Sequence, residues 1–324
     1  MAKVLYLPLN CPQTIQTGMY DAFRDLGVEL SIFDFYPPFL KRKSVQSIRG
    51  EFLQEVRRFK PDLIHMQLQF TGVIDGNTLL EAKKIHPKAI LTNWTGDIRS
   101  NVPGEFAGHS RAIDIALISS VGQLDLYRKA VHCGDVRYWQ IGYNPKLYFP
   151  QNKTTFCHDI SFVASKYNTR GAYGIFPGAE ARTNAANHLL KGPWRFGLFG
   201  NGWGKRVKAI SQKTANDVYG SSFSCLNISN FNDVYLYFSD RMLMCLASGR
   251  PVISYNFPGW EAYFTDMKDI VMVNSPQGID EKLKWLKANP QKANEIGRAG
   301  AELAQKEHTY FCRAAELLRM VGLR

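Results

Sequence analysis

The sequence predicts an α/β protein made of two facing Rossmann-like domains. Three observations lead to this prediction. Strand-like apolar runs alternate with helical patterns, a turn-rich segment interrupts the alternation near the chain midpoint, and 324 residues are too many for one ordinary core. Strand–helix alternation at this spacing is typical of a parallel sheet with helices on both faces.

The first series of elements begins at the N-terminus. The strands are predicted at Lys3–Leu7, Val28–Phe33, Leu63–Met66, Ala89–Trp94, Ile113–Ile118 and Val136–Gln140. Helices are predicted between them at Thr14–Leu26, Ser44–Phe59, Leu79–Ile85 and Gly122–Ala130. In such sheets, ligands bind beyond the carboxyl ends of the strands.

The second series repeats the same alternation. Its strands are predicted at Asp159–Val163, Trp194–Phe199, Ser222–Asn227, Val252–Tyr255 and Ile270–Val273. Its helices are predicted at Ala179–Leu190, from Ser239 onward, and at Gly278–Ala288, Gln291–Lys306 and Tyr310–Val321.

A linker separates the two series. The segment Ile141–Lys153 contains Gly142, Pro145 and Pro150, which are residues typical of turns. We therefore predict an N-terminal domain at 1–150, a second domain at 151–308 and a C-terminal helix at 309–324, which we expect to pack back on the N-terminal domain.

The charge is unevenly distributed. The chain carries a net charge of +12, and residues 151–213 contribute +8 of it from 10 basic and 2 acidic residues. A positive field there favours a polyanion or a phosphorylated ligand, and the alternative is a solvated lysine surface with a few residues around one diphosphate.

The six scattered cysteines show no zinc-binding spacing, so we expect no metal. No apolar run approaches the roughly 20 residues of a membrane helix, and a strand pattern follows the N-terminus directly, so we expect a cytoplasmic protein (the host cytoplasm if it is viral) with no membrane span.

The helix that follows Ser239 is the most informative element. Ser239 and Asp240 are good capping residues, and Gly249 is a good terminator. Free N–H groups and the dipole at this helix start suit a phosphate, and Arg241 adds a cation. The alternative interpretation is an ordinary αβ unit.

Four stretches resemble one known family. They are IGYNPKLYFP at 141–150, ISFVASKYNTR at 160–170, LNIS…SDRMLMCLASGRPVISY between 226 and 255, and the tail EAYFTDMKDIVMV…GRAGAELAQKEHTYFCRAAELL between 261 and 318. Here the chain is similar to GT-B glycosyltransferases, and within them to the spore-maturation (CgeB-type) group. The resemblance covers most of 140–320, and in the N-terminal half it extends only to the general layout.

The resemblance implies a nucleotide-sugar site, with UDP as the expected nucleotide, mainly in the second domain. Transferred to this sequence, the donor-binding positions are Ser165, Lys166, Arg170, Gly200, Asn201, Gly202, Trp203, Asn227, Ser239, Asp240 and Arg241. Gly200 and Gly202 are expected to let backbone approach the ligand, and Trp203 to stack on a base or sugar or else to pack in its loop. Enzymes with this fold generally need no bound metal, and we expect no cofactor beyond the nucleotide-sugar co-substrate.

One departure from the family pattern concerns the reaction type. Many retaining members of the fold carry an E-x7-E motif whose second Glu holds the ribose, and Leu236 and Met244 stand at the two positions here. This favours an inverting transferase, which requires a general base. Asp97, which follows the strand Ala89–Trp94, is the first candidate for the base, and His65 is the second; the alternatives are a turn Asp and a core His. On the acceptor side we expect Asn10, Gln13, Thr14 and Arg99.

The acceptor is predicted from charge and from the resemblance together. The helix 41–60 carries seven basic residues against Glu51 and Glu55, a pattern suited to phosphates. Bacteriophage enzymes of related fold glycosylate hydroxymethylated bases in DNA, so DNA is the favoured single acceptor, and the base would have to be flipped out of the duplex. Polysaccharide and protein acceptors remain alternatives, as does a non-catalytic module that binds nucleotide-sugars.

Overall fold

The computed structural model describes residues 1–10, 16–69, 71–98, 100–166 and 176–324. The chain divides into a first domain, Met1–Ile141 with Tyr310–Arg324, and a second domain, Gly142–Thr309. The boundary thus lies at residue 141 and not at 150, because the linker segment from Gly142 onward belongs to the second domain. The C-terminal segment of the first domain starts at Tyr310, one residue after the predicted position 309.

The described residues of the first domain form a six-stranded parallel sheet. Its strands are β1 (Lys3–Leu7), β2 (Glu29–Ile32), β3 (Leu63–Met66), β4 (Ile90–Thr95), β5 (Ile115–Ile118) and β6 (Asp135–Tyr138), in the order β2-β1-β3-β4-β5-β6. The helices are α1 (Thr17–Asp25), α2 (Tyr36–Leu40), α3 (Val45–Phe59), α4 (Gly76–Ile85), α5 (Gly104–His109), α6 (Leu124–Ala130) and, at the C-terminus, α12 (Tyr310–Met320).

The second domain contains a parallel sheet that has five strands in the described part of the chain. They are β7 (His158–Val163), β8 (Phe196–Phe199), β9 (Ser222–Asn227), β10 (Val252–Tyr255) and β11 (Val271–Val273), in the order β11-β10-β9-β7-β8. The helices are α7 (Gly178–Lys191), α8 (Gln212–Gly220), α9 (Asp240–Ala247), α10 (Pro276–Ala288) and α11 (Pro290–Glu307). These two parallel-sheet domains confirm the predicted fold class.

The last helix packs on the first domain, as predicted. Ala314, Leu317 and Leu318 of α12 are buried in one core cluster with Met19 and Phe23 of α1. The indole Nε1 of Trp139 also donates to the carbonyl oxygen of Arg313. The apolar face of α12 therefore finds its partner in sequence-distant α1, which makes the C-terminus part of the first core.

The His-Thr-Tyr tail that the sequence analysis singled out has a structural explanation. His308 O accepts from Tyr143 N at 3.1 Å, and Tyr143 forms a parallel bridge with Thr309, so the chain enters and leaves the second domain side by side. The imidazole of His308 stacks on Phe264 and contacts Phe238 edge to face. Phe238 directly precedes Ser239, the N-cap residue of α9. These aromatic contacts connect the paired segments at Tyr143 and Thr309 to the N-terminus of α9.

Both sheets share one connectivity at their start. In each domain the first strand lies between the second and the third, so strand order reverses at β1/β3 and at β7/β9. In open α/β sheets the ligand crevice lies beyond the carboxyl ends of the strands at such a reversal. The fold therefore points to the segments after β7 and β9, and after β1 and β3, as places for function.

Candidate functional site

The carboxyl edge of the second sheet brings three predicted segments together. Lys166 N, after β7, donates to Asn201 O, after β8, at 2.7 Å. Gly178 N, at the start of α7, donates to Asn230 O, after β9, at 2.7 Å. The residues after β7, β8 and β9 thus form a connected rim at the strand-order reversal.

Gly200 and Gly202 serve loop packing. Gly200 has φ +133°, and a Cβ there would lie 2.2 Å from Ala164 O; Gly202 has φ +85°, and its Cβ would lie 2.5 Å from Lys166 O. Only glycine fits positions that combine positive φ with such close approach. The close approach of the segment after β7 therefore explains why both positions are glycine, whereas the sequence analysis attributed them to close approach of the ligand.

Trp203 packs against the end of β7. Its Nε1 donates to Ala164 O at 2.6 Å, and its ring meets Phe162 edge to face. The Lys166 ammonium lies 5.8 Å from the ring centroid, a cation–π contact. These contacts agree with the packing alternative, and stacking of Trp203 on a base or sugar stays a prediction.

Two arginines hold the rim at the strand-order reversal. Arg241 Nε donates to Val163 O at 2.8 Å and its Nη1 to Ile228 O at 3.4 Å. Arg182 Nε donates to Ile228 O at 2.8 Å and its Nη1 to Ser165 O at 3.2 Å. Both guanidinium groups therefore connect the end of β7 to the end of β9. Arg241 is a brace of the site, and two of its donor nitrogens are already used by backbone carbonyls.

Arg182 was missed as a site residue by sequence reasoning, which counted it only within the basic segment. It is fully buried in α7, with Ala179 and Ala186 on the same helical face. An arginine inside an otherwise apolar helical stripe was the available signal, because a charged side chain is almost never buried without partners.

Several buried polar atoms at this edge have no hydrogen-bond partner in the described structure. They are Asn227 Oδ1 at the end of β9, Asn230 Oδ1 just beyond it, Asn256 Oδ1 after β10 and Ser239 Oγ before α9. Asn227 is 1% exposed, and its Nδ2 donates to Ser254 Oγ at 3.0 Å, which aligns the amide. Leaving a buried polar atom unpaired costs about 1–3 kcal/mol, so such a group at a ligand edge indicates a missing partner.

The start of α9 differs from the sequence-based expectation in one detail. Ser239 occupies the N-cap position, but its side chain makes no capping bond, and Asp240 Oδ1 instead accepts from Arg241 N at 2.8 Å. The helix ends as predicted at Gly249, which has φ +74°. Ser239 Oγ has no partner in the described structure, whereas Arg241 N and Met242 N are already bonded to Asp240 Oδ1 and Ser239 O.

Two candidates of the first domain, Asn10 and Asp97, differ in burial. Asn10 is 5% exposed; its Nδ2 donates to Tyr20 and Asp34, and its Oδ1 accepts from Gln16 N. Its amide therefore fastens the segment after β1, which replaces the ligand role expected for it. Asp97 is exposed just past the carboxyl end of β4, a position open to substrate.

His65 is a core residue. It is completely buried, stacks on Tyr6 and meets Trp139 edge to face, and its Nδ1 contacts Thr92 Oγ1 at 2.9 Å. Burial lowers the pKa of His65 to about 3. A fully enclosed imidazole with a pKa of about 3 is out of reach of an acceptor and too weak a base to take its proton, so the structure favours the core alternative.

Four predicted positions lie outside the described residues: Gln13, Thr14, Arg99 and Arg170. They stay predictions. Among described residues, no group of three or more His, Cys, Asp and Glu side chains could hold a metal ion. The described helices include none that is both long and apolar enough to cross a membrane.

The basic helix α3 is less suited to phosphates than its sequence suggested. Arg49 Nε and Nη2 donate to Val73 O and Gly72 O, and its Nη1 pairs with Asp75. Lys43 and Arg58 are in turn paired with Glu51 and Glu55. Three of the seven cations of residues 41–60 are therefore already balanced within the first domain.

Comparison with known proteins agrees with this geometry. Residues 181–319, which include Arg182, Asn227 and α9, match the family model described as "Glycosyl transferase-like". No curated protein matches the chain significantly in sequence.

Solved structures match over nearly the whole chain. Sucrose-phosphate synthase from Thermosynechococcus elongatus is 13% identical with a TM-score of 0.62, covering 99% of this chain and 98% of its own. HepE from Anabaena, solved with UDP and glucose, is 10% identical with a TM-score of 0.65, covering 99% and 100%. A DNA-modifying beta-glucosyltransferase, solved with and without uridine diphosphoglucose, is 13% identical with a TM-score of 0.64, covering 100% of both chains. The solved structures confirm the predicted GT-B fold, and the family-model match supports a glycosyltransferase-like domain over residues 181–319.

Proposed function

We propose that this GT-B protein transfers a sugar from a UDP-sugar to a hydroxyl acceptor. The observation that carries the proposal is the group of unpartnered buried polar atoms around the start of α9, at the strand-order reversal of the second domain. This group lies on the part of the chain that matches the glycosyltransferase-like family model. HepE and the beta-glucosyltransferase, which share the fold, were solved with uridine diphosphate ligands.

The chemistry of the unpartnered atoms fits a nucleotide-sugar. The amide oxygens of Asn227, Asn230 and Asn256 are acceptors and suit the hydroxyl groups of a ribose and a sugar. Ser239 Oγ and the positive end of the α9 dipole suit the diphosphate. In this arrangement the amide oxygens hold the ribose. Met244, which stands at the position of the ribose-holding glutamate of many retaining enzymes, has no carboxylate to do so.

The same groups support catalysis without a metal ion. When the bond between the anomeric carbon and the diphosphate breaks, its electron pair stays on UDP, and the helix start and Lys166 stabilise the added negative charge. We therefore propose that activity persists in EDTA. A loss of turnover that Mg²⁺ restores would contradict this part of the proposal.

We assign the general base of an inverting displacement to Asp97. In this step the acceptor hydroxyl loses its proton to the carboxylate as its oxygen attacks the anomeric carbon from the face opposite UDP. Asp97 is exposed at the carboxyl end of β4, whereas His65 is enclosed. Anomeric configuration of the product, read by NMR, tests the inverting assignment.

For the acceptor we propose hydroxymethylated bases in DNA. The support is the net charge of +12 and a full-length fold match to a DNA-modifying enzyme. Polysaccharide and protein acceptors are the competing candidates, because two sugar-acting proteins without a DNA connection in their names match equally well.

One screen tests donor and acceptor together. The protein is incubated with each of several UDP-sugars and with hydroxymethylcytosine duplex, unmodified duplex or a glycan mixture, and products are identified by mass spectrometry. The proposal expects sugar added to the hydroxymethylated duplex alone. Extension of a glycan with no DNA product would overturn the acceptor. Absence of both transfer and slow donor hydrolysis, together with retained UDP binding, would favour a non-catalytic binding module.

A further inference from the structure

The segment Gly200–Lys213, called here the basic loop, carries an unbalanced positive charge. It follows β8 at the carboxyl edge of the second sheet and continues into the first turn of α8. Lys205, Arg206, Lys208 and Lys213 are exposed. The sequence contains no acidic residue anywhere between Glu180 and Asp217, so the charge has no local counterpart.

The basic loop contrasts with the rest of the second domain. Several exposed cations elsewhere in that domain are paired: Arg195 and Lys287 with Asp159, Lys292 with Glu295 and Arg298 with Glu302. Within the described ranges, no ion pair involves Lys205, Arg206, Lys208 or Lys213. Like charges gathered on one short segment repel one another, and an anionic partner removes that cost.

Backbone contacts hold the basic loop in place without any partner. Gly200 N donates to Lys208 O at 3.0 Å and closes the loop at its base. Trp203 Nε1 and Lys166 N fasten it to the segment after β7 through Ala164 O and Asn201 O. Because the loop is already ordered, binding an anion would cost it little conformational entropy.

We propose that the basic loop binds the phosphate backbone of the nucleic-acid acceptor beside the donor site. The inference rests on the proposed function, whose acceptor is DNA. Several exposed cations along one segment match an extended polyanion, since duplex DNA presents one charge per about 1.7 Å of its axis. One nucleoside diphosphate presents its charge at a single point, to which the proposed function assigns Lys166 and the start of α9.

The test compares two charge-matched triple variants. The loop variant is Lys205→Gln, Arg206→Gln and Lys208→Gln, and the control is Lys284→Gln, Lys292→Gln and Lys306→Gln on the exposed faces of α10 and α11. Binding of a fluorescein-labelled duplex is measured by anisotropy over a series of salt concentrations, and UDP-sugar hydrolysis is measured in parallel. Each lost phosphate contact lowers the slope of log affinity against log salt by about 0.9.

We expect the loop variant to lose about two to three units of that slope and at least about tenfold in DNA affinity, while the control keeps both. Donor hydrolysis should stay unchanged in both variants.

An unchanged slope in the loop variant would overturn the inference. Lost UDP-sugar hydrolysis with retained DNA binding would overturn it too, and would place the loop on the donor diphosphate. Heparin binding is measured on the same variants, and loss of heparin affinity with retained DNA affinity would overturn the inference and indicate an acidic polysaccharide. A wild-type protein that binds DNA but never turns over a UDP-sugar would refute the proposed function and leave the loop assignment standing.

Discussion

Arg182 and Arg241 both donate to the carbonyl oxygen of Ile228, at 2.8 and 3.4 Å. Each also reaches the end of β7, through Ser165 O and Val163 O. The two side chains come from different helices, α7 and α9, so two elements hold the ends of β7 and β9 together. A site that must hold a diphosphate in fixed geometry benefits from such bracing, because misplaced donors stabilise charge poorly.

Arg241→Ala is expected to lower both stability and donor affinity. It removes two hydrogen bonds to half-buried backbone, so the free energy of unfolding should fall by about 1–3 kcal/mol. Arg241→Lys keeps the charge but cannot span Val163 O and Ile228 O, so it should recover only part of the loss. Urea unfolding with and without UDP measures both effects, with exposed Lys213→Ala as the control. Wild-type stability together with lost UDP binding would show that Arg241 is a ligand and not a brace.

Ser239→Ala should separate binding from folding. Its Oγ is buried without a partner in the described structure, so the substitution should leave the free energy of unfolding within about 0.5 kcal/mol. If Ser239 donates to the diphosphate, the KM for UDP-sugar should rise about tenfold.

Ser211→Ala is the matched control for Ser239→Ala. Ser211 Oγ accepts from Thr214 N at 3.1 Å and caps α8, so its loss should cost about 1 kcal/mol of stability without changing KM. The assignment of Ser239 fails if its variant loses stability as the control does and keeps its KM.

The elements that sequence reasoning located best are the short buried strands. The predicted bounds of β1, β3, β9 and β10 coincide with the structure. Apolar and β-branched runs bounded by turn residues, such as Pro61-Asp62 before β3, mark such strands on both sides. Helices α2, α5 and α8 were not predicted; α2 contains Pro37 and Pro38 and α5 contains Gly104 and Gly108, residues that indicate turns in a sequence.

The sequence predicted which residues share the carboxyl edge of the second sheet, but not which atoms they contact. Parallel order alone puts Ser165, Gly200 and Asn227 at one edge, so topology sufficed for them. The partners of Arg241 and Trp203 are backbone carbonyls of β7 and the residue after it, and a sequence pattern carries no information about where a distant carbonyl lies. The sequence analysis missed Arg182 as a site residue for the same reason, because its partners are also backbone carbonyls.

Asp97→Asn is expected to lower turnover while donor binding is kept. A general base contributes about a hundredfold to ten-thousandfold in rate, so kcat for transfer should fall by that range with UDP affinity unchanged. Asp125→Asn is the control, since that exposed carboxylate on α6 pairs only with Arg128 among the partners seen in the structure. Calorimetric UDP binding and a transfer assay measure the two quantities. A normal kcat in the Asp97 variant would remove it from the mechanism.

His65→Gln should change the pH dependence of stability and leave the acid limb of turnover in place. The folded pKa of His65 is about 3 and the unfolded value about 6.5, so below pH 6.5 the unfolded chain takes up a proton that the folded protein excludes. The stability contributed by neutral His65 is therefore present above pH 6.5 and is lost as the pH falls toward 3, by about 1.4 kcal/mol per unit. Between pH 6.5 and 5 the wild type should lose about 2 kcal/mol more than the variant in urea unfolding. Parallel stability curves would show that His65 is not enclosed as neutral imidazole. A kcat profile whose acid limb disappears in His65→Gln would restore it as the base in place of Asp97.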